Sequence, residues 1–236
     1  MSSTPAPGGV VAMFDRIAPV YDVMNTVMTA GIDRRWRTAA LREAKLRPGM
    51  RVLDVATGTG KLALAAAAAV GPRGSVTGLD ASRAMLRRAA RAESRRTVRR
   101  EAGSPISWTH ADAMSMPFAA ASFDAVTIGF GLRNLPGVGA ALAEMARVLA
   151  PGGRVVILEV GEPAKGLPRL LFRTWFRRII PLLGRLAGRA AAYEYLPESV
   201  RRYPPPEEVA ALMRQSGLEE VRWRWLTSGL VTLHHG

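Results

Sequence analysis

One stretch constrains this chain more than any other: MRVLDVATGTGKLALAAAAAV, residues 50–70. Arg51-Val-Leu-Asp-Val55 is an apolar, β-leaning run, too short for an independent helix. Ala56-Thr-Gly-Thr-Gly60 follows, and then an Ala/Leu run of strong helix propensity. Strand, tight glycine turn and helix in that order aim backbone N–H groups at a ligand from a helix N-terminus. Gly58 and Gly60 let that ligand approach the backbone where side chains would collide. Asp54, at the strand's end, adds an acceptor beside the turn. The turn alone does not name the ligand. Gly58-x-Gly60-x-x-Ala63 also satisfies the dinucleotide fingerprint, so NAD(P) stays open, as does a turn that binds nothing.

A chain of 236 residues is long enough for one α/β domain with a two-sided core. Pro5, Pro7, Gly8 and Gly9 suggest a disordered leader over residues 1–9. The rest, 10–236, is expected as a single domain, with an N-terminal helical cap over 10–47 and a helical insertion or lid over 163–204. Zero cysteine excludes disulfides, thiolate metal sites and cysteine nucleophiles, and suits a cytoplasmic location. Neither a signal peptide nor a long uncharged apolar run is present, so secretion and a membrane span are not expected. His110, His234 and His235 lack metal-ligand spacing, and no metal is expected.

The net charge of +14 is concentrated. Arg83 to Arg100 holds eight Arg against one acid, Glu93. Met85, Leu86, Ala89 and Ala90 can form an apolar helical stripe there, leaving the arginines solvated. A nucleic-acid patch would want interleaved aromatics, and Trp108 is the nearest, so no nucleic-acid partner is expected. Leu167 to Ala190 holds six more Arg and no acid. Its Leu170, Leu171, Trp175, Ile179 and Leu182 recur at helical spacing, with Pro181 set to kink or split the helix. An apolar stripe opposite arginines reads either as an interfacial helix on anionic lipid or as a lid packed on the protein itself.

After the glycine turn the chain alternates. Ser75 to Asp80 is a second strand ending in a carboxylate. Asp80 follows Gly60 by 20 residues, the spacing at which an acid meets a ribose diol. Ile106 to His110 makes a third strand, followed by Asp112, placed to reach an adenine edge. Phe123 to Gly129 is a fourth strand, Gly137 to Leu149 a helix, and Pro151-Gly-Gly153 a turn into a fifth strand from Arg154 to Val160. Val221 to Leu226 and Leu230 to His234 sit as a hairpin. Strands alternating with helices mean parallel βαβ units with ligands at the strands' carboxyl ends.

This set resembles the class I S-adenosylmethionine-dependent methyltransferases. The resemblance implies a three-layer, Rossmann-like α/β fold, with a seven-stranded, mostly parallel sheet whose last strand is antiparallel. The NAD reading loses ground because no tyrosine has a lysine four positions later. The segment after strand four is Gly129-Phe-Gly-Leu-Arg-Asn134, not the clamp of an amino-base methyltransferase.

Four stretches narrow the resemblance: MFDRIAPVYDVMN (13–25) with GIDRRW (31–36), FDAVTIGFGLRNLP (123–136), RVLAPGGRVVILEV (147–160), and YEYLPESVRRYP (193–204) with LTSGLVTLHHG (226–236). They are similar to the UbiE/MenG quinone C-methyltransferases, which methylate a ring carbon of a polyprenylated benzoquinol or naphthoquinol. The chain departs from that family's usual pattern at Lys61, where an Asp is common, at Gly129, where a Ser is common, and at Ala150, Gly161 and Pro205.

The resemblance implies S-adenosyl-L-methionine as cofactor. Asp54, Thr59, Asp80, Asp112, Ala113 and Gly129 would contact it, and Gly58 and Gly60 would shape the turn. Arg133, Asn134 and Tyr21 would act at the acceptor ring, with Asp22, Glu159, Tyr193 and Tyr195 as further proton acceptors or ring contacts. The expected reaction is demethylmenaquinol to menaquinol, with a benzoquinol as the alternative acceptor. The implied partners are a polyprenylated quinol and the inner face of the cell membrane, touched peripherally, with a homodimer left open. An RNA methyltransferase and a cofactor-holding protein without activity are the competing classes. The missing base clamp argues against the first, and the intact Arg133-Asn134 pair against the second.

Overall fold

The structure is a computed structural model that describes residues 7–98, 103–162, 174 and 190–236. Residues 1–6 of the expected leader, and most of both the expected lid and the arginine-rich stretch 167–190, lie outside the described residues.

Strands β1 (Arg51–Val55), β2 (Ser75–Asp80), β3 (Ile106–His110), β4 (Phe123–Gly129), β5 (Leu149–Val160), β6 (Arg222–Leu226) and β7 (Val231–His235) form one sheet. Its order is β3-β2-β1-β4-β5-β7-β6. Neighbours from β3 to β5 are parallel, and β7 runs antiparallel to both β5 and β6. The terminal hairpin therefore folds back so that its second strand, not its first, meets the parallel set.

Period-two alternation distributes the core between the faces. Leu53, Val55, Val126, Ile128, Val155 and Ile157 face α5 (Val138–Val148) and α7 (Pro206–Gln215). On the opposite side, Val52, Val76 and Ala125 pack with α3 (Lys61–Val70), and Val156 and Leu158 with α2 (Asp33–Glu43). Ala63, Ala66 and Ala67 are fully buried, so α3 offers the sheet a surface without bulk. Helix α4 (Arg83–Val98) buries Met85, Leu86 and Ala89 and exposes Arg87, Arg91 and Arg95, whereas Arg88 and Arg96 are half-buried and Arg96 donates to the Leu64 carbonyl at 3.1 Å. Glu93, its one acid, accepts from the Trp108 indole at 2.7 Å and the Ile106 N–H at 2.9 Å, tying α4 to β3.

Two boundaries differ from expectation. Helix α1 (Pro7–Thr29) starts inside the expected leader, because proline at a first helical position costs no hydrogen bond. Strand β5 starts at Leu149, five residues before the expected Arg154. Leu149 pairs with Phe123 and Arg154 with Ala125, so Pro151-Gly-Gly153 is a bulge within the strand and not a turn before it. Helix α6 (Ala190–Arg202) follows β5 in the described chain. Among the described residues no helix is long and apolar enough to cross a membrane.

Candidate active site

The carboxyl ends of β1, β2 and β4 open into a cavity of about 980 Å³, at the upper end of the range for small-molecule sites. Gly60 begins α3 with φ of 79° and no side chain of its own to cap the helix, and of the first N–H groups that of Ala63 bonds Asp54. The Gly58 N–H donates to Asp80 Oδ2 at 2.8 Å, and the Ser82 N–H donates to Asp80 Oδ1 at 2.8 Å. Two backbone donors thus orient the Asp80 carboxylate beside the glycine turn. Burial still pushes its carboxyl above the ordinary range.

Asp54 plays a different part. It is buried under the turn, where Oδ2 accepts the Thr57 hydroxyl at 2.6 Å and Oδ1 the Thr127 hydroxyl at 2.8 Å. Desolvation outweighs those bonds and pushes its carboxyl up to about 6. Its hydroxyl partners sit on the turn and on β4, so it braces the turn as well as facing the cavity.

Of the eight residues expected to bind cofactor, Asp54, Gly58, Thr59, Asp80, Asp112, Ala113 and Gly129 line the cavity, and Gly60 does not. A Cβ at Gly60 would come within 2.6 Å of the Trp108 ring, which explains a glycine there without any ligand. At Gly58 a Cβ would meet nothing within 4 Å, so that glycine opens space toward the cavity. Asp112 is exposed beyond β3, with Oδ1 accepting the Met114 N–H at 2.9 Å.

The 3₁₀ turn Leu132–Asn134 brings Arg133 and Asn134 to the same cavity. Arg133 Nη1 donates to Glu159 Oε1 and, at 2.9 Å, to the Phe130 carbonyl. Burial opposes the charge, but Glu159 and then Tyr21 outweigh it and raise the Arg133 pKa. Asn134 Nδ2 donates to the Phe130 carbonyl at 3.3 Å, which sets its amide orientation. Tyr21, Tyr195 and Tyr203 also line the cavity, and desolvation holds all three phenols above 10. Each is a neutral hydroxyl at pH 7, suited to donate a hydrogen bond and not to take a proton.

Three residues gain roles that the sequence left open or hid. Asp22 accepts the Thr59 hydroxyl at 2.8 Å and lies 3.1 Å from Lys61 Nζ, so it fastens α1 to the glycine turn. Asp15 accepts from the Ser82 hydroxyl at 2.6 Å and the Ala84 N–H at 3.1 Å, capping α4 from a different helix. Tyr203 comes to the cavity directly after α6. No periodicity or spacing marks Asp15 or Tyr203; only tertiary packing places them.

A backbone cradle open at Gly58, an oriented carboxylate at Asp80 and a second one at Asp112 fit a nucleoside with a diol and an exocyclic amine. Together with the β3-β2-β1-β4-β5-β7-β6 sheet they define the class I S-adenosylmethionine-dependent methyltransferase architecture. The family is narrower: the model of the ubiE/COQ5 methyltransferase family matches residues 4–236, and the chain belongs to that family. It is 46% identical over 228 residues to the ubiquinone/menaquinone biosynthesis C-methyltransferase UbiE of Syntrophotalea carbinolica, covering 95% of this chain and 92% of the relative. It is 44% identical over 226 residues to the demethylmenaquinone methyltransferase of Thermus thermophilus, covering 95% of this chain and 99% of the relative. Among solved structures, a SAM-dependent methyltransferase from Thermotoga maritima superimposes with a TM-score of 0.62 at 18% identity, covering 95% of this chain and 98% of that one. The cyclase SpnF superimposes with a TM-score of 0.68 at 21% identity, covering 98% and 78%. A cyclase on this fold shows that architecture alone does not choose the reaction.

Proposed function

We propose that this protein transfers the methyl group of S-adenosylmethionine to a ring carbon of a polyprenylated 1,4-naphthoquinol, converting demethylmenaquinol to menaquinol. One observation carries the reading: a single cavity joins the Gly58–Asp80 cradle to a buried cation, Arg133, and three neutral phenols. The names of the relatives support the same chemistry. They support a benzoquinol acceptor equally, and that is the second reading.

The bound cofactor supplies an already activated methyl group, so the chain's task is positioning and electrostatics. Asp80 and Asp112 take the nucleoside's donors, and Thr59 stands beside them. Arg133, locked by Glu159 and the Phe130 carbonyl, keeps its charge and favours the phenolate form of the acceptor, the form in which the ortho carbon is nucleophilic. Asn134 and Tyr21 flank that ring. With the phenols held neutral, the ring proton leaves to solvent.

The prenyl tail requires a bilayer nearby. The arginine-rich stretch 167–190 supports reversible docking on an anionic membrane surface from the cytoplasmic side.

Mass spectrometry of the quinones in a strain lacking the gene tests the assignment. Demethylmenaquinone should accumulate and disappear on complementation. Accumulation of a benzoquinone precursor instead would favour the second reading, and an unchanged quinone profile would overturn both.

A further inference from the structure

Six buried side-chain polar atoms among the described residues have no hydrogen-bond partner, and three of them belong to residues of the cavity wall. They are Arg133 Nε, Asn134 Oδ1 and the Tyr203 hydroxyl. A buried polar group left unpaired is costly, so native proteins keep few of them. Three on one cavity wall point to a ligand that completes them.

Their chemistry specifies that ligand. Arg133 Nε–H is a donor whose neighbouring Nη1 is already committed to Glu159 and Phe130. Asn134 spends its Nδ2 on the Phe130 carbonyl, so its Oδ1 is a fixed acceptor that asks for a hydroxyl proton. Tyr203 offers a neutral hydroxyl. The first two sit on the 3₁₀ turn after β4, and Tyr203 enters from the end of α6, so the polar atoms come from two separate elements. An aromatic ring that enters as the neutral quinol, with one hydroxyl accepting from Arg133 and donating to Asn134 until it ionises and a second oxygen directed at Tyr203, satisfies all three.

We propose that the Tyr203 hydroxyl hydrogen-bonds the acceptor-ring oxygen remote from Arg133, and that this contact selects para-dihydroxy rings over monohydroxy ones. The inference rests on the quinol reading above and names the residue that reads the ring's second oxygen. Tyr203 is a substrate-positioning contact and takes no proton.

The experiment pairs a variant with a substrate change. Tyr203→Phe keeps the ring that packs in the cavity wall and removes only the hydroxyl. Wild type and variant are assayed anaerobically, with saturating S-adenosylmethionine, on a short-chain 2-prenyl-1,4-naphthoquinol. They are assayed again on the monohydroxy analogue that lacks the oxygen remote from the reacting carbon. On the quinol, Tyr203→Phe should lower kcat/KM about three- to tenfold, the worth of one neutral hydrogen bond. On the analogue, wild type and variant should be equal. Calorimetric affinity for S-adenosylhomocysteine should not move, and the melting temperature of the ligand-free protein should not fall, since the hydroxyl removed is unpaired there. An equal loss on both substrates would make Tyr203 a structural residue, and no loss on either would remove the contact. A wild type that methylates neither ring, while binding S-adenosylhomocysteine, would overturn the quinol reading itself and the Tyr203 assignment with it.

Discussion

Arg133 and Glu159 form an ion pair withdrawn from solvent, with the guanidinium side chain 7% exposed and the carboxylate side chain 0%. Glu159 also accepts the Arg133 backbone N–H at 3.2 Å and the Val160 N–H at 2.9 Å. It therefore holds the 3₁₀ turn as well as the cation. Removing either partner leaves a buried charge uncompensated, which costs about 3–5 kcal/mol. For a chain of this length that is a fall on the order of 10 °C in melting temperature. Arg133→Ala should thus lose turnover and stability together, and Glu159→Gln should lose stability comparably. Arg133→Lys keeps the charge but not the Nε donor, so it should fold better than Arg133→Ala and still turn over slowly. Differential scanning calorimetry beside steady-state kinetics checks this. Full stability in Arg133→Ala would show that the pair contributes nothing to the fold.

Four of the five parallel strands are legible in the sequence as apolar runs with a glycine or an acid at or beside their ends, and β3, Ile-Ser-Trp-Thr-His, is legible by its place between a helix and Asp112. The cradle is legible for a related reason: Gly58, Asp80 and Asp112 are local to strand ends, where spacing reports position. Strand β5 starts earlier than its pattern shows, since the bulge at Pro151-Gly-Gly153 is held by pairing with β4, which is remote in sequence. Lys61 reads as a departure from a family pattern, and only the fold shows Asp22 and Asp33 beside it. Tyr203 and Asp15 are invisible for the same reason. Their roles depend on which helix end meets which strand end.

Asp54 should give the native state a pH signature. Burial places its folded pKa at about 6, above the ordinary 3.8. Between those values the folded protein holds a proton that the unfolded chain has lost, so stability falls as pH rises through the window. Below it the penalty is absent, and above it the penalty is complete, amounting to roughly 3 kcal/mol. Urea denaturation of wild type and Asp54→Asn at pH 7.5 and 4.5 reads it out. The wild type should gain on the variant as pH falls. A stability difference that stays constant with pH would mean Asp54 titrates as an ordinary carboxylate.

The two glycines of the turn should separate binding from folding. Gly58→Ala places a side chain at φ of 58° in open space, a conformational cost of about 1–2 kcal/mol. It should fold, yet bind S-adenosylhomocysteine at least tenfold more weakly, because its methyl group enters the cradle. Gly60→Ala carries the same conformational cost and also drives into Trp108, adding about 1–3 kcal/mol of overpacking. Thermal melts and titration calorimetry on both variants decide the matter. Unchanged affinity in Gly58→Ala would place the cofactor elsewhere in the cavity.

The arginines of stretch 167–190 should bind anionic lipid. Each Arg near such a surface adds about 1 kcal/mol, and the attraction is screened by salt. Co-sedimentation with vesicles containing anionic phospholipid should drop when Arg173, Arg177 and Arg178 become Gln, and should weaken in high salt. Equal binding by wild type and triple variant would confine this stretch to a role within the protein.

Helix α1 closes one side of the cavity through Val10, Val11 and Phe14, and two aspartates fasten it by different physics. Asp15 caps α4 through Ser82 and Ala84, a directional contact of the kind whose loss costs about 0.5–2 kcal/mol. Asp22 shares a half-exposed ion pair with Lys61, which is worth at most about 1 kcal/mol and is screened by salt. Lys61 also sits at the positive end of the α3 dipole, an unfavourable place for a cation that Asp22 and Asp33 offset. Asp15→Ala should therefore speed amide exchange in α1 and in the first turn of α4 at every ionic strength. Lys61→Met should speed exchange in α1 only modestly, and the difference from wild type should vanish in high salt. S-adenosylhomocysteine affinity should fall more in the first variant than in the second, because the cap carries part of the cavity wall with it. Hydrogen-exchange mass spectrometry at low and high salt reads both. Exchange in α1 that ignores Asp15→Ala would mean the helix is held without the cap, by its apolar contact of Ile17 and Ala18 with Met85 and by Asp22.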